Sequence, residues 1–258
     1  LHVRSGVKTG RCKKERKFLM IQIPEKTIPA FHSQTILSLN TQKVRTAKSS
    51  QTILQLNQNL HSHSPAPTTP SYRHPTLKNI VQKGQKIALF TNSVSPSVDI
   101  LLGWNVKKTA CDVDVSAFLL GANQKVLGDS WFVFYGQPQS PDQSVSFETL
   151  STNQCEKIHI QLNQLNSVVQ KIIFVLTINE ALTKNLNFSM IEHAYIQIID
   201  SNQHELVSFP MSDYYESVTS MMIGEIYLHN GIWKFHAVGN GVKEDLAGLC
   251  RRYGVNVS

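Results

Sequence analysis

Asp112 and Asp114 flank a single valine in the stretch CDVDVSAFLLGANQKVLGDSWFVFY, residues 111–135. Side chains of an extended strand alternate between faces, so the two carboxylates leave the start of a strand on the same side. Like charges that close repel one another unless a cation, a donor or water lies between them. A hard cation held by oxygen ligands is the chemistry this spacing suits; a solvated acidic strand edge is the plain alternative. Little else in the chain resembles reactive machinery. The cysteines, Cys12, Cys111, Cys155 and Cys250, have no CxxC or His-paired spacing, which suits reduced, buried thiols better than disulfides or zinc. His159 and His236 fall on β-prone segments and His193 just before one, as half-buried or surface histidines would. No nucleophile elbow, P-loop, dinucleotide fingerprint or HExxH motif occurs, so an enzyme is not expected.

The elements that must position the aspartates are strands. Val113, Val115, Ala117 and Leu119 share one face, with Asp114, Ser116, Phe118 and Leu120 on the other. Residues 121–125 make a turn, and the aromatic run Trp131 to Tyr135 returns as a second strand. Further strands are expected at 86–90, 98–104, 157–162, 171–178, 195–200, 205–209, 223–229 and 232–238. Lys171 to Ile178 is apolar on both faces, as a central strand of a layered sheet would be. Asn230-Gly231 is the strongest hairpin signal in the chain. Lys243 to Tyr253 reads as a helix with Leu246, Leu249 and Tyr253 on one stripe and Gly254 placed to end it. The expected fold is all-β: an antiparallel β-sandwich of about ten strands with a short C-terminal helix.

These segments carry a resemblance. Gly103-Trp104-Asn105, the 111–126 stretch, FVFYGQPQSPDQSV, KIIFVLTINEA, AYIQIID, GEIYLHNGIWKFHAVGNG and the closing Arg252-Tyr253-Gly254 follow in the order seen in the TerD family. That family comprises bacterial tellurium-resistance and stress proteins, and the similarity spans roughly Ile80 to Ser258. The resemblance implies a cytoplasmic, calcium-binding β-sandwich without established catalytic activity. It also implies where calcium would sit: the Asp of a G-W-D turn, a paired-Asp strand, and a Gly/Asp-rich insertion ending in D-D-E.

This chain keeps only part of that pattern. Asp112 and Asp114 match the paired carboxylates, and Asn105 stands where the G-W-D aspartate would be. The insertion is replaced by SFETLSTNQCEK, in which only Glu156 matches the final acid. Calcium takes six to eight oxygen ligands and its affinity follows their charge, so the expected binding is weak, confined to one site, or lost. Asn105, Asp112, Asp114 and Glu156 are the expected metal ligands, with Asn123 and Asp129 as additional oxygen donors.

Charge divides the chain. Residues 1–20 carry a net +6, residues 21–79 a net +5 and residues 80–258 a net −4, which gives +7 for all 258 residues. The basic character therefore belongs to a leader, residues 1–79, ahead of the sandwich domain, residues 80–258. The leader is poor in aromatics and rich in polar residues, a composition that predicts a flexible, disordered segment. It contains the near-repeat SQTILSLN (33–40) and SQTILQLN (50–57), which reads as low-complexity duplication or a pair of docking segments. The Pro-rich run 61–75 reads as a linker whose His61, His63 and His74 are solvated. Residues 1–19 precede the first methionine, Met20, and initiation there would lower the net charge to about +1. No apolar run approaches the roughly 20 residues of a membrane span and no secretory signal follows the basic start, so a cytoplasmic location is expected. The leading expectation is a non-catalytic TerD-like module that binds protein partners or a small ligand, with a reduced calcium site. The alternative is a nucleic-acid-associated protein using the basic leader as an electrostatic arm.

Overall fold

Alternating apolar residues bounded by turns do become strands in the computed structural model, which describes residues 75–90, 97–107, 111–150 and 155–257. The leader through residue 74, with its near-repeat, histidines, Cys12 and Met20, lies outside the described residues. Six strands form one sheet: β1 (Lys86–Ala88), β3 (Val113–Leu120), β4 (Phe132–Phe134), β7 (Lys171–Ile178), β10 (Ser220–His229) and β11 (Ile232–Val242), in the order β1-β11-β10-β7-β3-β4. Five form the other: β2 (Ser97–Val106), β5 (Val145–Thr149), β6 (Cys155–Gln161), β8 (Ile191–Asp200) and β9 (Glu205–Pro210), in the order β5-β6-β2-β8-β9. Every pairing between these strands is antiparallel.

The inner faces meet in one core. Val113, Val115, Ala117 and Leu119 of β3 pack with Ile172, Phe174 and Leu176 of β7 against Leu102, Trp104, Ile158 and Ile196 from the facing sheet. The other face of the six-stranded sheet is covered by the C-terminal helix, Leu246–Tyr253, which buries Leu246, Leu249 and Cys250 on Phe118, Phe132, Ile173 and Val175. Asp245 caps that helix by accepting from the Gly248 N–H at 2.8 Å, and Gly254 ends it at φ 83°. The helix starts three residues later than its apolar pattern suggests. At the tip of the β10–β11 hairpin, Asn230 and Gly231 have φ of 52° and 76°, the left-handed pair that a tight hairpin turn requires.

Two elements depart from expectation. β5 is an additional strand whose polar sequence VSFET carries no clear alternation, and β8 begins at Ile191, placing His193 inside a strand rather than before it. Lys78 and Asn79 donate their backbone N–H groups to Glu205, and Val81 donates to the Ser208 carbonyl, so contact with β9 begins at Lys78.

Candidate functional site

The aspartates occupy the face that alternation assigned them. Asp114 stands opposite Thr177, and the Asp112 carbonyl accepts from the Asn179 N–H at 2.8 Å, continuing the β3–β7 ladder. Val113 and Val115 turn into the core, so Asp112 and Asp114 project away from it. Asp114 is 5% exposed and Asp112 half-buried.

Glu156 reaches this strand from the other sheet. It lies opposite Leu102, so it points inward, and its Oε2 accepts the Val115 N–H at 2.9 Å. That N–H belongs to the peptide linking Asp114 to Val115. β4 pairs with β3 only from Ser116 onward, which leaves this donor for a side chain to satisfy. Asp114 and Glu156 are each about 95% buried, and Glu156 bonds the peptide that follows Asp114. Next to Asp114 on the same face, the Ser116 and Thr177 hydroxyl oxygens are buried without a hydrogen-bond partner. Hard, under-satisfied oxygens beside buried negative charge fit a cation's ligand chemistry.

The remaining expected ligands are placed differently. On β2, Leu102, Trp104 and Val106 face the core, so Gly103, Asn105 and Lys107 lie on the outer face of the five-stranded sheet. Asn105 stands opposite Glu192 there, its Oδ1 buried without a partner, whereas Asp114 faces out from the other layer. Stacked sheets lie roughly 10 Å apart, too far for Asn105 and Asp114 to share one ion. Asn123 accepts from the Lys125 N–H within its turn, and Asp129 accepts from the backbone and side-chain N–H groups of Asn256. Among the described residues, no three His, Cys, Asp or Glu side chains gather in a metal-holding group. Residues 108–110 and 151–154, which flank the aspartates and Glu156, lie outside the described residues.

The other reactive types have structural partners. His159 pairs with Asp99 at 2.5 Å and His236 with Glu225 at 3.1 Å. Cys111, Cys155 and Cys250 are buried thiols, not disulfides, and burial pushes the Cys250 thiol up to about 12. Cys111 donates towards the Met190 sulfur at 3.7 Å, and the Cys155 sulfur lies 3.8 Å from the Tyr195 hydroxyl.

Sequence reasoning missed a second site on the outer face of the five-stranded sheet. Tyr195 lies opposite both Gly103 and Pro210. Its ring covers the glycine so closely that a Cβ there would stand 2.3 Å from Tyr195 Cε1. Between the pairs Gly103–Tyr195 and Asn105–Glu192, β8 takes three steps against two on β2, a bulge with His193 at φ 53°. Residues three apart on a regular strand face opposite ways; the extra residue brings Glu192 to the side of Tyr195. The result is a cavity of about 390 Å³ with Tyr195, Tyr214, Pro210 and Met211 as walls and Lys107, Glu192 and His193 in its lining. The Tyr214 hydroxyl accepts from the Ala194 N–H at 2.7 Å. The sequence signal for it was the glycine before Trp104, which the G-W-N match had absorbed.

The two antiparallel sheets and their covering helix together define a small β-sandwich domain. The TerD domain profile matches residues 78–253, and the chain belongs to the TerD family. Tellurium resistance protein TerD of Serratia marcescens is 37% identical over 190 residues, covering 69% of this chain and 98% of that protein. General stress protein 16U of Bacillus subtilis (strain 168) is 33% identical over 186 residues, covering 68% and 96% respectively. The crystal structure of a TerD homologue from Streptomyces coelicolor A3(2) covers 64% of this chain and all of its own, at a TM-score of 0.48 and 16% identity. Among the described residues, no helix is long and apolar enough to cross a membrane.

Proposed function

We propose that this chain is a non-catalytic, cytoplasmic binding module of the tellurite and stress response, acting on protein partners or a small ligand. It holds one divalent cation weakly. Asp114 and Glu156 supply the charge, and Asp112 reinforces it from the foot of β3. The observation that carries this reading is the buried Glu156 carboxylate crossing between sheets to the peptide that follows Asp114. A bound cation offsets the cost of burying carboxylate charge. Calcium supplies that charge and orders the hard oxygens around it. The donor set is small and the Gly/Asp insertion is absent, so the site has one ion and low affinity.

Calorimetric titration of the full chain with calcium chloride tests this. The expected result is one ion bound with a dissociation constant of about 10⁻⁴–10⁻³ M, lost in Asp114→Asn and in Glu156→Gln. Binding of two ions in the micromolar range, or binding that survives both substitutions, would overturn it.

A further inference from the structure

We propose that the cavity on the outer face of the five-stranded sheet binds a free α-amino acid with an apolar side chain. This names the small ligand of the binding-module reading and rests on that reading, but not on the cation site. The cavity, about 390 Å³, is within the range of small-molecule sites and larger than one amino acid needs. Its walls and rim differ in chemistry. Tyr195, Tyr214, Pro210 and Met211 offer an apolar, aromatic surface for a side chain. Lys107 and Glu192 bring opposite charges to the same lining.

The backbone explains how those charges come to be side by side. Asn105 pairs with Glu192, and the Lys107 N–H bonds to the Met190 carbonyl, so Lys107 and Glu192 are diagonal neighbours on one face. Such neighbours have backbones roughly 7–8 Å apart, near enough for an ion pair between long side chains. They do not form one. Lys107 Nζ donates to the Ser189 carbonyl at 3.1 Å, and Glu192 has no ion pair among the described residues. A carboxylate and an ammonium set about 3 Å apart on one carbon, as in a free amino acid, bridge this gap with the matching polarity. A simple amine or carboxylate would leave one of the two protein charges opposed by nothing.

The tyrosines fix the third contact. The Tyr214 oxygen already accepts from the Ala194 N–H, which leaves its proton to donate into the cavity. Burial, with the nearby Glu192 carboxylate, pushes that phenol above its ordinary range, so it stays protonated as a donor at neutral pH. The bulge at His193 is what makes the site. Without the extra residue Glu192 would face away from Tyr195, and a non-glycine residue is held at φ 53° to achieve it.

The test is NMR titration of the full chain, in excess EDTA, with L-leucine, L-methionine and L-phenylalanine. The tightest ligand is then compared with its amide, which lacks the carboxylate, and its N-acetyl derivative, which lacks the ammonium. We expect saturable shifts confined to the surroundings of Tyr195 and Tyr214. Affinity should fall at least tenfold for either derivative and for Glu192→Gln or Lys107→Met, while Lys107→Arg retains binding. Glu192→Gln should not weaken the N-acetyl derivative further, a pairing that a purely structural role for Glu192 would not produce. The proposal falls if none of the three amino acids shifts these resonances, if the derivatives bind equally well, or if both charge substitutions leave affinity unchanged. Because EDTA is present throughout, a failed cation site cannot imitate a failed amino-acid site.

Discussion

The outer faces of the two sheets are built by the same strand alternation and end up with opposite uses. On the six-stranded sheet, Phe118, Phe132, Phe134, Ile173 and Val175 project outward and are buried beneath Leu246, Leu249 and Cys250 of the C-terminal helix. Phe118 stacks on Phe132 at 4.5 Å between ring centroids and meets Tyr253 at 4.7 Å. On the five-stranded sheet, the outward positions carry partly exposed charged pairs, His159–Asp99 and Lys157–Glu148. The aromatic surface there, Tyr195 with Tyr214, borders a cavity instead of a second core. Among the described residues, one face is closed by a helix and the other presents its aromatic surface at a concavity. Apolar area on the first contributes to folding; on the second it is available to a ligand.

Substitutions on each face should break that contrast in order of size. Leu249→Ala empties a fully buried position under the helix and should cost about 2–5 kcal/mol in denaturant unfolding. A loss below about 1 kcal/mol would mean the helix does not close this face. Gly103→Ala on the open face should cost about 1–3 kcal/mol, because the new methyl displaces the Tyr195 ring. It should also collapse the cavity, read as altered Tyr195 ring resonances; an unshifted ring would show that the close approach is not required.

The smallest effect lies at the edge of the open sheet and depends on pH. Burial alone would raise the Glu205 carboxyl, but hydrogen bonds from the Asn79 and Lys78 N–H groups and from Gln197 outweigh it and hold it below 4.5. A carboxyl lowered by folding stabilises the native state fully above its unfolded value, and loses that contribution as pH falls through the folded one. Amide exchange at Lys78 and Asn79 should therefore accelerate, relative to the sandwich core, as pH drops below about 4.5. Glu205→Gln should remove the pH dependence; exchange that stays pH-dependent in that variant would assign the clamp to another group.

Much of the open-versus-closed contrast could be read in part before any coordinates. The two-sided apolar run of β7 announced a strand buried on both faces, and the Leu246–Leu249–Tyr253 stripe announced the helix that buries one of them. Placing Asp112 and Asp114 on one face followed from period-two alternation around Val113. β5 was not legible, because VSFET pairs at a sheet edge where neither face needs a continuous apolar pattern. The bulge in β8 was equally silent. A left-handed backbone is announced by glycine or asparagine, and here the position is His193.

Period-two and helical spacing are local properties, so the amino-acid order by itself determined ten of the eleven described strands, the closing hairpin turn, the capped helix and the shared face of the aspartate pair. Which distant groups meet was decided by layer packing. Glu156 finds the Val115 N–H across 41 residues because β4 stops short at Ser116. Tyr195 finds Gly103, and Glu192 the same face, because one extra residue shifts the register of β8 against β2. Such meetings depend on where strands end and how they slip, which no single segment encodes.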